Sequence, residues 1–270
     1  MAGKAEGIGE SISGKGGNME QEQRKTSIRS TAMLLPLFAV ACAVFAALLL
    51  FSSGPGARLH AWNFRTGFAM ITAAGYIGLG CAVVALASSV VSVRQRHFWG
   101  IFVSLIALIL ALISFGIPLY WKVQAQSFPR IHDISTDLNN PPRFVAISTL
   151  RRAGVRYGGV DVATQQMKAY PELKTVVLGM PANEAYKTAL LTARDLGWDI
   201  VAERPAEGTI EATDTTRWFG FKDDIVIRVV PAGERSLLDI RSVSRVGISD
   251  VGTNAKRVRA FLAKLGPSQK

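Results

Sequence analysis

Three unbroken apolar runs occupy the first half of the chain. Ala32–Ser53 ("AMLLPLFAVACAVFAALLLFSS"), residues 66–93 and residues 98–121 contain no Asp, Glu, Lys or Arg. Each is long enough to cross a hydrocarbon core about 30 Å thick, which takes roughly 20 helical residues. A cleaved signal peptide has a shorter apolar stretch and an early start, and a soluble core helix rarely stays apolar all round for so long. The pattern therefore predicts three transmembrane helices within residues 31–121.

Beyond them the pattern changes to short alternations. "LKTVVLG" reads as a strand, and Pro181 then opens "PANEAYKTALLTARDLG", whose Ala185, Tyr186, Ala189, Leu190, Ala193 and Leu196 share one helical face before Gly197 ends it. "WDIVAERP", "TIEATDTT", "DIVIRVVP" and "RSLLDIRSVS" read as further strands, separated by "AEG", "RWFGFKD" and "AGE". A closing helix has Val258, Phe261, Leu262 and Leu265 toward the core, with Lys256, Arg257, Arg259 and Lys264 largely on the solvated faces. The order β-α-β-β-β-β-α with short links predicts an α+β domain over residues 174–266, an antiparallel sheet of about five strands with two helices packed on one face.

Two segments lack such periodicity. Residues 1–30, rich in Gly, Ser and charge, predict a disordered tail; "GKGG" there has neither the preceding strand nor the spacing of a phosphate loop. Residues 122–173 include "SFPRIHDISTDLNNPPRF", whose prolines and Asn-Asn-Pro-Pro turn predict an extended, irregular segment along the domain.

Charge adds an orientation. No acidic residue lies between Glu22 and Asp133. Lys15, Arg24, Lys25, Arg29, Arg94 and Arg96 flank one side of the spans, and Arg58, Arg65, Lys122 and Arg130 the other. The positive-inside rule then puts the N-terminus in the cytoplasm and everything after Trp121 outside it, as in a multi-pass protein of the inner (cytoplasmic) membrane with a periplasmic domain. Trp62, Phe64, Phe98, Trp99, Tyr120 and Trp121 sit at span ends, as interfacial aromatics do. The spans hold no ionisable acid or base of the kind that lines an ion path, and Gly75, Gly78 and Gly80 suit close helix packing. Both cysteines, Cys42 and Cys81, lie within spans, which leaves the domain without a disulfide, thiol nucleophile or Cys-based zinc site.

Candidate chemistry in the domain is sparse. In "IHDISTD", His132, Asp133 and Asp137 are a general-base cluster or carboxylate metal ligands on one reading, and side chains bonding nearby backbone on the other; one His with two Asp is poor for zinc. Asp214, Asp223, Asp224, Asp239, Arg241 and Arg245 form a second group. Asp239 and Arg241, two apart on a strand, share a face, to be used in a cross-strand ion pair or in a binding site according to its burial. Arg217 and Trp218, with Phe219 and Phe221, either project from a loop toward lipid, glycan or a partner, or fill the core, with Gly220 breaking the alternation. In "SRVGISDVGTN", Ser249, Asp250 or Thr253 caps the last helix, while Arg245 and free N–H groups up to Asn254 offer an anion site as the rival; the carboxylate of Asp250 competes with such an anion.

"PRIHDISTDLNNPPRF", "AYPELKTVVL" and "DIRSVSRVGISDVGTNAKRVRAFLAKL" together resemble the signature blocks of domain-of-unknown-function family 1499, known from bacterial envelope and plant plastid proteins. The resemblance spans residues 128–266, leaves the three spans outside it, and implies a frequent membrane-anchored setting but no activity. The expectation that results is a non-catalytic binding or scaffold module of the envelope, with no cofactor and no metal, whose partners are membrane lipids and an envelope protein or lipid. An Asp/Arg-dependent hydrolase or isomerase and a lipid- or small-molecule-binding domain are the alternatives. Nucleic acid is not expected as a partner, because 22 Lys and Arg are interspersed with 16 Asp and Glu over residues 122–270.

Overall fold

The computed structural model describes residues 7–151 and 155–266, with side chains from Met33 onward. The chain divides into two compact units, Met1–Gly56 with Trp62–Trp121, and Ala57–Ala61 with Lys122–Lys270.

The first unit is built from helices α1 (Gly7–Arg58), α2 (Phe64–Arg94) and α3 (Phe98–Gln126). Met33–Arg58, Phe64–Arg94 and Phe98–Gln126 are each long and apolar enough to cross a membrane. Helical backbone begins at Gly7, where a disordered tail was expected through residue 30; residues 1–6 and all side chains through residue 32 lie outside the described residues. The bundle is inverted relative to a soluble one. Its seam is small, with Ala39 and Ala43 of α1, Ala85 of α2, and Ala107 and Ala111 of α3 fully buried, while Phe38, Leu48, Tyr76, Val83 and Ile109 face outward. Small residues let backbones approach: a Cβ on Gly78 would stand 2.9 Å from the Ala111 carbonyl oxygen. Ser88 and Ser104 share a buried 2.7 Å hydrogen bond between α2 and α3. Close packing around small and hydroxylated residues is how helices associate where the solvent is itself apolar.

The second unit is a mixed α+β domain. Its antiparallel sheet holds β1 (Asp133–Ser135), β2 (Val176–Leu178), β3 (Asp199–Arg204), β4 (Thr209–Thr215), β5 (Lys222–Ala232) and β6 (Arg235–Ser244). The order is β1-β6-β5-β4-β3, and β2 also pairs with β6. β5 flanks one edge of β6, while the other edge is shared in tandem by β2, opposite Ser236–Leu238, and β1, opposite Arg241–Val243. Between them Thr136 completes the ladder: its N–H donates to the Ile240 carbonyl (3.0 Å) and its hydroxyl accepts from the Ile240 N–H (2.9 Å).

The expected strand and helix order is present, with α6 (Ala182–Asp195) and α7 (Thr253–Leu265) as the two expected helices. Ala185, Ala189 and Ala193 of α6 and Val258 and Phe261 of α7 pack on Ile210, Ile225, Ile227, Leu238 and Ile240 of the sheet, with Trp198 stacked on Phe261 at 5.4 Å. The 122–173 segment, expected to be irregular, carries more structure than its prolines suggest. It contains the end of α3, the sixth strand β1, and helices α4 (Ala146–Leu150) and α5 (Gly159–Ala169). Arg257, expected on a solvated face of α7, is instead buried. It lies three residues after Asn254 and four before Phe261, so the helical period turns it inward with both.

Candidate functional site

Strand alternation sends every second residue of β4, β5 and β6 away from α6 and α7. On this second face lie Glu211, Thr213, Asp224, Val226, Arg228, Asp239, Arg241 and Val243. A sheet with helices on one side usually leaves its other face to water. Here it is covered, because residues 136–151 fold across it and set Phe144 and Ile147 on Val226 and Val243. The charged residues are thereby enclosed: Asp224 is 0% exposed, Glu211 1%, Arg241 2% and Asp239 3%. Burial on that scale demands partners, and Asp224, Glu211, Arg241 and Asp239 are all hydrogen-bonded within the domain.

Arg241 grips Asp133 of β1 with two hydrogen bonds, Nε to Oδ1 at 2.9 Å and Nη2 to Oδ2 at 2.7 Å. Its Nη1 donates to the Pro142 carbonyl at 3.2 Å. The guanidinium lies between the rings of Phe144 and Tyr157, each centroid 5.2 Å from Cζ. A planar cation between two ring faces gains on both sides. Burial pushes the Tyr157 phenol up to about 12, and the negative Asp133 adds to the effect while Arg241 opposes it.

Arg228 of β5 stands directly opposite Asp239 of β6 and donates to it at 2.7 Å. The same Nη2 reaches Asp137 at 2.9 Å, and Nη1 donates to the Asn140 carbonyl at 3.0 Å. Asp239 also accepts from the hydroxyls of Thr136 (3.1 Å) and Thr175 (2.6 Å). Partial burial draws the Asp137 carboxyl upward, but the N–H of Asn140, the Arg228 guanidinium and the N–H of Asn139 outweigh it and leave the group below its ordinary value. Asp224 accepts from Arg245, Arg151 and the Thr213 hydroxyl.

Glu211 has a different employment. Its Oε1 accepts the N–H groups of Val145 and Ala146 (2.8 and 2.9 Å) and its Oε2 that of Ile147 (2.8 Å). These are donors of the first turn of α4, which has no side-chain cap of its own. A carboxylate there suits both the orphan N–H groups and the positive end of the helix.

A second polar cluster joins α7 to the other face. Arg257 donates to Asp214 (2.8 Å), Asp223 (2.6 Å), the Ser242 hydroxyl (3.2 Å) and Asn254 Oδ1 (2.5 Å). Asn254 donates in turn to the carbonyl of His132 and the hydroxyl of Ser244, both at 2.9 Å.

In the loop before α7 ("SRVGISDVGTN"), the Asp250 side chain serves backbone donors at the start of the helix, whose N-cap residue is Gly252. Asp250 accepts from the N–H of Gly252 at 3.0 Å and of Asn254 at 2.6 Å. Burial raises its carboxyl above the ordinary value despite these two donors, and the neighbouring charge of Asp223 adds to the rise. Ser249 donates to the Pro129 carbonyl at 3.3 Å. Gly252 has φ 76°, and a Cβ on it would meet the Phe128 ring at 2.5 Å. Val251 has φ 52°, a left-handed conformation that β-branched side chains strongly disfavour.

The sequence-predicted residues thus fall into separate employments. Asp137 and Asp239 meet across Arg228, whereas Asp133 is held by Arg241 and Arg245 by Asp224. His132 contributes its backbone carbonyl to Ser244 and Asn254. Arg217 and Trp218 are exposed on the β4–β5 loop, where Phe219 and Phe221 stack at 5.2 Å. Among the described residues no three His, Cys, Asp or Glu side chains are grouped to hold a metal ion. Glu211 and Arg228 escaped the sequence reading. Their signal was a charge at an alternate position of an otherwise apolar strand, Glu211 between Ile210 and Ala212, Arg228 between Ile227 and Val229.

Residues 133–265, from the first strand to the end of the last helix, match a family model described as "Protein of unknown function (DUF1499)". The C-terminal domain is a DUF1499 domain. No curated protein matches the chain. Among solved structures, the di-domain ARO/CYC BexL is 15% identical over 34% of this chain and 43% of its own, with a TM-score of 0.27. CalU16 from Micromonospora echinospora is 13% identical over 34% of this chain and 74% of its own, with a TM-score of 0.26. The chain thus spans less than half of BexL, and these likenesses involve about a third of its length.

Proposed function

We propose that the DUF1499 domain is a non-catalytic binding or scaffold module, tethered by α1–α3 to the inner membrane of the cell envelope, with the N-terminus cytoplasmic and the domain periplasmic. The observation that supports this reading is the employment of the domain's acids and bases. A catalytic carboxylate or arginine presents a free edge to a substrate. Asp133, Asp224, Asp239, Glu211, Arg241 and Arg257 are instead buried and bonded to other parts of the same domain. They fix its shape, which leaves recognition to the exposed loops.

Two experiments test the reading. Crosslinking in cells, followed by purification of the full chain and of a chain lacking residues 122–270, is expected to retrieve envelope partners with the first only; the same partners with both would remove the domain from the role. A phosphatase reporter at the C-terminus is expected to be active, and activity of a cytosol-only reporter there would reverse the orientation.

A further inference from the structure

The loop Arg245–Val251 carries three exposed apolar side chains within six residues, Val246 (41%), Ile248 (64%) and Val251 (42%). Stability does not explain them. Val251 occupies a left-handed conformation that Gly or Asn would adopt without strain, and its exposed side chain has little packing to offset that strain. The loop is fastened to the segment that follows α3. Ser249 bonds the Pro129 carbonyl, the Asp250 N–H donates to the Ile131 carbonyl at 3.2 Å, and Gly252 lies against the Phe128 ring. Phe128 comes two residues after α3 ends at Gln126. The contour from Trp121 to Phe128, five residues of helix and two of extended chain, is at most about 15 Å. The charge around it is basic. Arg130, Lys222 and Lys256 are exposed, and the Lys222 carbonyl accepts the Arg245 N–H. The nearby acids are engaged within the domain: Asp250 points its carboxylate at the N-terminus of α7, Asp224 is bonded to Arg245 and Asp223 to Arg257.

We propose that the Arg245–Val251 loop is a membrane-surface anchor, in which Val246, Ile248 and Val251 enter the headgroup layer of the bilayer crossed by α3 while the surrounding Arg and Lys side chains meet anionic phospholipid. Apolar side chains rimmed by basic ones match the two attractions that hold a protein segment at such an interface, and each Lys or Arg near an anionic surface strengthens binding by about five-fold. The inference rests on the membrane insertion of α1–α3 and is independent of the scaffold role.

The test uses the full chain with Cys42→Ala and Cys81→Ala, reconstituted in nanodiscs of phosphatidylcholine with phosphatidylglycerol and labelled with bimane at one introduced cysteine. With Ile248→Cys, doxyl-labelled lipid is expected to quench the probe and aqueous iodide to quench it several-fold less than a probe at Ala206→Cys, in the turn at the opposite end of the sheet. A probe at Leu105→Cys within α3 reports insertion itself. Iodide quenching at 248 equal to that at 206, with the 105 probe quenched by lipid, overturns the anchor alone. Protection from iodide without lipid quenching assigns the loop to a protein contact and also overturns it. Failure of lipid to quench the 105 probe overturns the insertion on which the inference depends. Lipid quenching at 248 that persists unchanged in pure phosphatidylcholine overturns the anionic requirement.

Discussion

Replacing Glu211 by Gln tests whether the second face is held together as described. The wild-type carboxylate accepts three N–H groups at 2.8–2.9 Å, at a site 1% exposed. The amide keeps one oxygen for two of those donors but turns an NH2 toward the third. One buried donor left without an acceptor costs about 1–3 kcal/mol. The two remaining bonds lose their charge assistance, and such bonds are roughly twice as strong as neutral ones. Arg204, 3.9 Å from Oε1, contributes little beside them. The expected loss is about 2–4 kcal/mol. Urea unfolding of the full chain in detergent, followed by tryptophan fluorescence, measures the total. Hydrogen exchange across residues 144–151 locates it, because the amides of Val145, Ala146 and Ile147 should lose protection before those of β5. Stability within about 0.5 kcal/mol of wild type, with unchanged exchange at those amides, would refute the proposed role of Glu211.

Further outcomes follow from the same contacts. Arg241→Lys keeps the charge but loses the two-pronged bond to Asp133 and the sandwich between Phe144 and Tyr157, so the unfolding midpoint should fall by the equivalent of about 2–3 kcal/mol. Tyr157→Phe keeps the ring and removes a buried hydroxyl that lacks a partner among the described residues; denaturant titration should show it neutral or stabilising by up to about 1 kcal/mol. Because the folded phenol is raised from 10 to about 12, its stabilising contribution is present below the unfolded value and lost as pH climbs toward the folded one, and Tyr157→Phe should remove that alkaline component of unfolding. Asp250, also raised, favours folding most at acid pH and progressively less as pH rises through its elevated value, whereas lowered Asp137 contributes above the unfolded carboxyl value and loses that contribution as pH falls through its own; unfolding midpoints of Asp250→Asn and Asp137→Asn across the acid range should change in these opposite senses. Val251→Asn should raise the midpoint by about 1 kcal/mol by relieving the left-handed conformation, while Gly252→Ala should lower it, partly restored by Phe128→Leu.

Local pattern made the strands and helices after Leu173 legible, because alternation and a 3.6-residue period are properties of neighbouring residues. It also placed Asp239 and Arg241 on one face. Burial of that face was not legible, since the cover comes from a segment about a hundred residues earlier in the chain. The same remoteness hid α4, a five-residue helix with a β-branched N-cap residue, Val145, and no local side-chain cap; its capping carboxylate is Glu211 on β4. Arg257 was misplaced because charge was read as solvation, although its spacing from Asn254 and Phe261 put it on the inner face. The bonds from Asp250 to the start of α7 reach no further than Asn254, which is local enough to read.

The tandem arrangement of β1 and β2 along β6 has a consequence for biosynthesis. Residues 133–135 leave the ribosome early in the domain, yet their strand partner is Arg241–Val243. Until that last strand emerges, Asp133 lacks Arg241 and Thr136 lacks Ile240. The nascent domain therefore stays unfastened until β6 emerges, and a chain that stops short of residue 245 should be cleared by quality-control proteases instead of persisting as a shortened but working form.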